Sequence, residues 1–93
     1  MPEFEIAHFE EDGQQVIVVF VTSSFGMQSQ SEQNTVRYEL QQHASNAGLA
    51  GTVALVWSDG VSMGFLAPIE WHDFFDSVSY DNLVANINGT LSW

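Results

Sequence analysis

The longest uninterrupted apolar stretch of the chain runs from Val16 to Val21, between Gln15 and Thr22. It is rich in β-branched residues, and no polar residue interrupts it. Strands that are buried on both faces have this pattern, whereas strands with one solvated face alternate apolar and polar residues. The pattern therefore predicts a central strand against which the rest of the chain packs.

An alternating segment from Glu3 to Glu10 precedes the central strand and predicts a strand that pairs with it. The turn between the two contains Asp12 and Gly13. A two-residue loop would place Phe4 and Ile6 on the face of the odd-numbered residues of the central strand. A three-residue loop with a glycine bulge would place them on the face of its even-numbered residues. Both alternatives bury apolar side chains, so this pattern does not decide between them.

A helix is predicted from about Gln30 to Ala47. Ser29 and Glu32 have the spacing of a capping box, and Gly48 suits the left-handed residue that follows a helix. The apolar stripe of this helix is narrow and consists of Val36, Leu40, Ala44 and Ala47. Such a stripe predicts that the helix lies close to one face of a sheet.

Two further strands are predicted at Thr52–Trp57 and Val61–Leu66, joined by a turn that contains Asp59 and Gly60. A three-residue bulged turn is favoured, because it would put the large residues on one face and mostly small ones on the other. The large face would hold Val53, Leu55, Trp57, Val61, Met63 and Phe65. The small face would hold Thr52, Ala54, Val56, Ser62, Gly64 and Leu66.

The rest of the chain predicts a short helix from Pro68 to about Ser77, one or two further turns over Tyr80–Asn88, and a tail from Thr90 to Trp93. The fold class predicted is α+β, as a single domain over residues 1–93. Its four-stranded, mainly antiparallel sheet is built from two Asp-Gly hairpins in the order ββα-ββα(α), with the helices mainly on one face. Whether the two halves are a duplication stays open.

The charge of the chain changes the functional picture. Twelve acidic residues accompany one strong base, Arg37, and there is no lysine, so the net charge is −11. Such a surface repels nucleic acids and anionic membranes and attracts basic proteins. Arg37 itself is expected to pair with Glu32 or Glu39 at the surface. Because no apolar stretch is long enough for a membrane helix and no secretory signal is evident, a cytoplasmic location is expected.

Few residues suggest catalysis. His72 and Asp76 have one-turn spacing, with Glu70 and Asp73 nearby, but one histidine and a row of acids more often form a solvated helix face than a metal site or an acid–base pair. Glu39 and His43 repeat that spacing and predict a surface pair, and His8 is expected to be partly buried. No serine-nucleophile or phosphate-binding motif is present. We therefore expect a non-enzymatic protein without catalytic residues, metal or cofactor.

Three sets of residues are candidates for binding. Helices on one face of the sheet would leave the other exposed, which predicts self-association, most simply as a dimer, through that face or a strand edge. The face would contain Ile17, Val19, Val21, Ala54, Val56 and Leu66. An aromatic ligand pocket is the second possibility, lined by Trp57, Phe65, Trp71, Phe74 and Phe75. The third is a loop in which Phe25 and Met27 would contact a partner.

The function predicted from the sequence is thus a non-enzymatic acidic interaction protein that associates with itself and binds or inhibits a basic protein. One alternative is a small-molecule domain that binds a cationic, apolar ligand in the aromatic pocket. A small metal-assisted enzyme at His72 and Asp76 is a third reading. Nucleic acid and membrane are excluded as partners on charge and hydropathy.

Overall fold

The computed structural model describes residues 3–11, 13–58, 60 and 63–92, which form one five-stranded mixed sheet with helices on both faces. The strands are β1 (Glu3–Glu11), β2 (Gln14–Phe20), β3 (Thr52–Ser58), β4 (Met63–Leu66) and β5 (Gly89–Ser92). The helices are α1 (Gln30–Asn46), α2 (His72–Ser77) and α3 (Tyr80–Ala85). Two 3₁₀ turns span Ser23–Met27 and Ile69–Trp71.

The strands lie in the order β4-β3-β2-β1-β5, which places the predicted central strand, β2, in the middle of the sheet. The pair β2–β3 is parallel, and the other three pairs are antiparallel. Neighbouring parallel strands need a long crossover connection, and α1 provides it. The α+β class is confirmed. The sheet differs from the prediction because it has a fifth strand and a parallel central pair.

The first hairpin follows the two-residue alternative. Glu11 pairs with Gln14 and Ile6 pairs with Val19, so Ile6 shares a face with the odd-numbered residues of β2. Gly13 has a φ of +79°, a conformation that glycine adopts without the steric cost of a Cβ atom. Asp12, the other residue of this turn, lies outside the described residues.

The second hairpin differs from the predicted one. Ser58 pairs with Met63 and Trp57 with Gly64, so Gly64 lies on the same face as Trp57 and the predicted separation of large from small residues is wrong. The size of the indole explains this register. A Cβ atom at position 64 would lie 2.6 Å from Cζ2 of Trp57, so only glycine fits opposite this side chain. Asp59, Val61 and Ser62 lie outside the described residues.

One face of the sheet is covered by α1. The capping box is present, since the Oγ atom of Ser29 accepts a hydrogen bond from the backbone N–H of Glu32 at 3.2 Å, and Gly48 has a φ of +81°. Both predicted ends of the helix are thereby confirmed to within a residue. The buried residues of this layer are Ile6, Ile17, Val19, Phe25, Leu40, Ala44, Val53, Leu55 and Leu91.

The opposite face is covered by α2, α3 and the second 3₁₀ turn. Its buried residues are Ala7, Val16, Val18, Ala54, Val56, Trp71, Phe75 and Leu83. The prediction that the helices pack mainly on one face is therefore wrong. Because β2 and β3 are apolar on both faces, each face needs a cover, and the chain supplies one before β3 and another after β4.

The end of the chain also differs from the prediction. Residues 89–92 form β5, which pairs with β1, so this segment is an edge strand rather than a tail. Trp93 lies outside the described residues. The two ββα halves occupy inequivalent places, because their helices cover opposite faces. Among the described helices, none combines the length and the apolar character that crossing a membrane requires.

Candidate protein-interaction surface

The segment from Ile69 to Ser77 forms a continuous helical run on one face of the sheet. Pro68, with a φ of −58°, precedes it, and the carbonyl of Pro68 accepts a hydrogen bond from the N–H of Trp71 at 2.9 Å. Trp71 and Phe75 are one turn apart and both are buried. The aromatic residues therefore decide which side of this run faces the sheet.

A cluster of rings holds this run in place. The ring centroids of Phe65 and Phe75 are 5.2 Å apart in a stacked arrangement, and those of Phe74 and Trp71 are 5.4 Å apart at nearly right angles. Phe74 also packs against Phe9 of β1 at 5.4 Å. These distances are typical of favourable aromatic pairs, so the rings pack against one another as a core.

The outer side of the same run carries acidic residues and one exposed apolar residue. Glu70, Asp73 and Asp76 are all exposed, and Ile69 is 82% exposed to solvent. Ile69 and Asp73 lie one turn apart on this outer side. The chain thus presents an isoleucine at the start of a row of carboxylates.

More carboxylates lie on this side of the molecule. Strand alternation places Glu3 and Glu5 on the same face of the sheet as Ala7, which contacts this layer. Asp81 is exposed on α3. The helix α3 packs on this face as well, because its Tyr80 contacts Phe20 of β2 with ring centroids 5.9 Å apart. We call the exposed residues Glu3, Glu5, Ile69, Glu70, Asp73, Asp76 and Asp81 the acidic surface.

The strong base of the chain lies on the other side of the sheet. Arg37 belongs to α1, and its Nε atom donates a hydrogen bond to the backbone carbonyl of Val53 at 3.0 Å. The helix α1 also carries the exposed residues Glu32 and Glu39. The side chain of Arg37 therefore reaches the sheet, and the acidic surface contains neither lysine nor arginine.

The six residues of the predicted oligomer interface do not share an exposed face. Ile17 and Val19 are fully buried beneath α1, where Val21 and Leu66 also pack. Ala54 and Val56 are fully buried on the opposite face beneath α2 and α3. These residues were predicted to form an exposed face because the helices were expected to cover only one face of the sheet, whereas they cover both. Self-association through a strand edge stays a prediction.

The five residues of the predicted pocket are divided between the two faces. Trp57 packs in the layer of α1, with its ring centroid 5.1 Å from that of Phe25. Phe65, Trp71, Phe74 and Phe75 belong to the opposite layer and fill the space between them. They therefore do not line a common pocket. An open cleft of about 370 Å³ at the end of the sheet includes Trp71 but is bordered largely by polar residues, among them Gln14, Gln15, Thr52 and Glu70.

The predicted contact loop is divided in the same way. Phe25 is buried against Trp57, whereas Met27 is 89% exposed. The two residues belong to a 3₁₀ turn in which they point in different directions. Only Met27 is available for contact with another molecule.

The histidines have structural contacts that the sequence does not reveal. His72 forms a 3.0 Å hydrogen bond between Nε2 and the carbonyl of Ala67, and its ring packs against Phe65. His8 is exposed, contrary to the expectation that it is partly buried, and its backbone N–H donates a hydrogen bond to Oδ1 of Asn88 at 3.2 Å. Within residues 3–11, 13–58, 60 and 63–92, no group of three or more histidine and acidic side chains is placed to hold a metal ion.

Sequence reasoning missed two features of these surfaces. The exposure of Ile69 is the first, although an isoleucine directly after a proline and next to an acidic row is a signal for it in the sequence. The second is the contact between Arg37 and Val53 of β3. No pattern in the sequence indicates it, because the two residues are far apart in the chain. Comparisons with protein-family models, with curated proteins and with solved structures found no match.

Proposed function

We propose that this chain is a non-enzymatic interaction protein that binds a basic protein through the acidic surface and thereby covers that partner's cationic site. The proposal rests mainly on the distribution of charge. Six exposed carboxylates, those of Glu3, Glu5, Glu70, Asp73, Asp76 and Asp81, lie on one side of the sheet, where no lysine or arginine offsets them. Charges of one sign on one side attract an oppositely charged protein and increase the association rate.

The proposal assigns Ile69 the role of apolar anchor. Charged residues at the rim of an interface set the association rate and the salt dependence, whereas apolar residues that become fully buried supply much of the affinity. Ile69 is 82% exposed in the free chain and adjoins Glu70 and Asp73. A basic partner with a small apolar depression among its lysines or arginines would complement this arrangement.

The proposal is tested first by capture. The immobilised chain is exposed to a cell extract at low salt, bound proteins are eluted with a salt gradient, and the most abundant basic protein is purified. Its dissociation constant is then measured by titration calorimetry at several NaCl concentrations. A basic protein whose binding weakens steeply with salt is expected. If the retained proteins are not basic, or if their binding does not depend on salt, the proposal is wrong.

Matched variants locate the binding surface. Asp73→Asn with Asp76→Asn neutralises two residues of the acidic surface, whereas Glu32→Gln with Glu39→Gln neutralises two on α1. Each pair changes the net charge from −11 to −9, by removal of two negative charges. The first pair is expected to weaken binding about fivefold at low salt, because two rim pairs at about 0.5 kcal/mol each amount to about 1 kcal/mol. The second pair is expected to change the dissociation constant less than about twofold, since Glu32 and Glu39 lie outside the acidic surface and would act on the partner only by screened, long-range electrostatics.

Two apolar variants complete the test. Ile69→Ser is expected to weaken binding about tenfold at every salt concentration, because it removes buried apolar area without changing charge. Met27→Ser serves as its control, since Met27 is equally exposed but belongs to the 3₁₀ turn before α1. Equal effects of the two charge pairs, or a loss with Met27→Ser and none with Ile69→Ser, would contradict the assignment of the surface.

A further inference from the structure

The open cleft of about 370 Å³ lies at the end of the sheet where β2 and β3 begin. Gln14, Gln15 and Thr52 line it from the sheet, and Glu70 and Trp71 line it from the second 3₁₀ turn. Clefts of about 300–1,000 Å³ accommodate small molecules, so this one has room for a side chain of another protein.

The walls of the cleft are fixed by packing. A Cβ atom at Gly51, which also lines the cleft, would lie 2.8 Å from the backbone oxygen of Gln15, so only glycine fits where the chain enters β3. The carbonyl of Gly51 accepts a hydrogen bond from the side-chain amide of Gln41 at 3.2 Å. Trp71 is only 5% exposed. The cleft therefore exists in the free chain and does not depend on a ligand for its shape.

The chemistry of the walls favours a cation that carries several hydrogen-bond donors. Glu70 supplies a carboxylate, and Gln14, Gln15 and Thr52 supply neutral oxygen acceptors. A second carboxylate adjoins the cleft, because Oε2 of Glu10 accepts a hydrogen bond from Nε2 of Gln15 at 3.3 Å. Neither lysine nor arginine is among the described residues that line it. In a chain with a net charge of −11, these walls attract a cationic group and repel an anionic one.

We infer that the cleft receives an arginine side chain of the basic partner, an inference that rests on the proposed function for the source of that side chain. A guanidinium group carries five N–H donors in one plane, so it can meet acceptors on both walls at once. The ammonium group of lysine is compact and more strongly hydrated, and it therefore gains less on leaving water. Arginine is also one of the residues that most often supply binding energy in protein interfaces.

The position of the cleft favours a protein as the source of the guanidinium group. Glu70 belongs both to the cleft and to the acidic surface, and the preceding residue, Ile69, is 82% exposed. A partner whose apolar group contacts Ile69 would have a neighbouring arginine within reach of the cleft. Because the cleft is open, the side chain can enter while the backbone of the partner stays outside.

The first test uses two amino-acid derivatives of equal charge. Nα-acetylarginine amide and Nα-acetyllysine amide are titrated at low salt into the isotope-labelled chain, and the backbone amide shifts are followed by NMR. The arginine derivative is expected to shift the amides of Gln14, Gly51 and Thr52 saturably, with a dissociation constant on the order of 1 mM. The lysine derivative is expected to bind at least about five times more weakly. Absence of saturable shifts at these residues, or equal binding of the two derivatives, overturns the inference.

Matched variants locate the bound derivative. Glu70→Gln and Glu39→Gln each change the net charge from −11 to −10, by removal of one negative charge, but Glu39 belongs to α1 and does not line the cleft. Glu70→Gln is expected to weaken binding of the arginine derivative about tenfold, and Glu39→Gln less than about twofold. Ala50→Phe fills the cleft from its exposed rim and should abolish binding, whereas Ala47→Phe, at the exposed end of α1, should not. All four positions are exposed, so these variants leave the core intact. Equal effects within either pair overturn the inference.

The captured basic partner then tests the source of the side chain. Ala50→Phe is expected to weaken binding of the partner at least about tenfold, because it blocks the cleft, and Ala47→Phe less than about twofold. Unchanged binding of the partner to Ala50→Phe overturns the inference. If the arginine derivative does not bind but a basic protein is still captured in a salt-dependent manner, the inference is wrong and the proposed function stands. If the derivative binds but no basic protein is captured, the proposed function is wrong and the assignment of the arginine to a partner fails with it.

Discussion

The indole of Trp57 provides the sharpest test of how the sheet is packed, because it lies between two glycines. A Cβ atom at Gly64 would be 2.6 Å from Cζ2 of this ring and closer still to Cε2 and Nε1. A Cβ atom at Gly26, in the first 3₁₀ turn, would be 3.1 Å from Cδ1 and closer still to Nε1. The ring therefore cannot retreat from Gly64 without approaching Gly26. We predict that Gly64→Ala destabilises the fold by forcing this ring out of place.

The size of this destabilisation follows from the contact between a Cβ atom at position 64 and the indole of Trp57. Carbon atoms pack favourably at about 3.5–4.0 Å, so the indole and the strand must separate by about 1 Å to admit a methyl group. Overpacking of this kind typically costs about 1–3 kcal/mol, and because the ring is confined on both sides we expect about 2 kcal/mol. For a domain of this size, whose total stability is about 5–14 kcal/mol, such a loss is large.

Urea unfolding followed by far-UV circular dichroism measures the loss without relying on the fluorescence of the perturbed tryptophan. With an m-value of about 1 kcal/mol/M, the midpoint is expected to fall by about 2 M. The variant Trp57→Leu supplies the internal check. In that background Gly64→Ala should cost less than about 0.5 kcal/mol, because the ring that it displaces is absent.

A control separates crowding from backbone strain. Gly48 has a φ of +81° and no atoms near its Cβ position, so Gly48→Ala should cost about 1–2 kcal/mol whether or not Trp57 is present. A Gly64→Ala variant as stable as the wild type, or one whose cost is the same in both backgrounds, would refute the argument that the indole selects glycine here.

Two further predictions concern α1 and the net charge. Ser29→Ala should lower the free energy of unfolding by about 1 kcal/mol, because it removes the acceptor for the N–H of Glu32. Ser29→Asp should restore most of this free energy, because its carboxylate can accept the same hydrogen bond. Equal urea midpoints for the wild type and both variants would contradict the role of Ser29 as the cap. NaCl should raise the melting temperature by about 4–8 °C between low and moderate salt, since about 1 kcal/mol of repulsion among charges that sum to −11 is screened. A melting temperature that stays constant or falls over this range would show that repulsion does not limit stability.

Much of the local structure was predictable because its causes are local. The apolar run of β2, the capping box at Ser29 and the glycine after α1 lie within a few residues of the features that they determine. The row of Glu70, Asp73 and Asp76 was expected to be solvated and is exposed, because the aromatic residues of the same helical run face the sheet. The net charge and the single arginine are properties of composition alone.

The register of the second hairpin and the cover of each face were not predictable in this way. The pairing of Trp57 with Gly64 depends on the space left between β4 and a 3₁₀ turn that is distant in the chain. The direction in which the chain leaves β4 decides whether α2 joins α1 or takes the opposite face. The sequence between β4 and α2 does not specify this direction. The predicted interface and the predicted pocket therefore each combined residues from two faces of the sheet.

The sequence by itself therefore determined that β2 is buried on both sides, that α1 begins at its serine cap, and that the protein is strongly acidic. The tertiary structure alone decided what buries each face of β2, which carboxylates share a side, and where the one arginine is used. The physical reason is the distance along the chain over which each kind of interaction acts. Patterns of apolar residues, caps and turns act over one or two turns of chain, whereas Arg37 meets Val53 and Trp57 meets Gly26 only after the whole sheet has assembled.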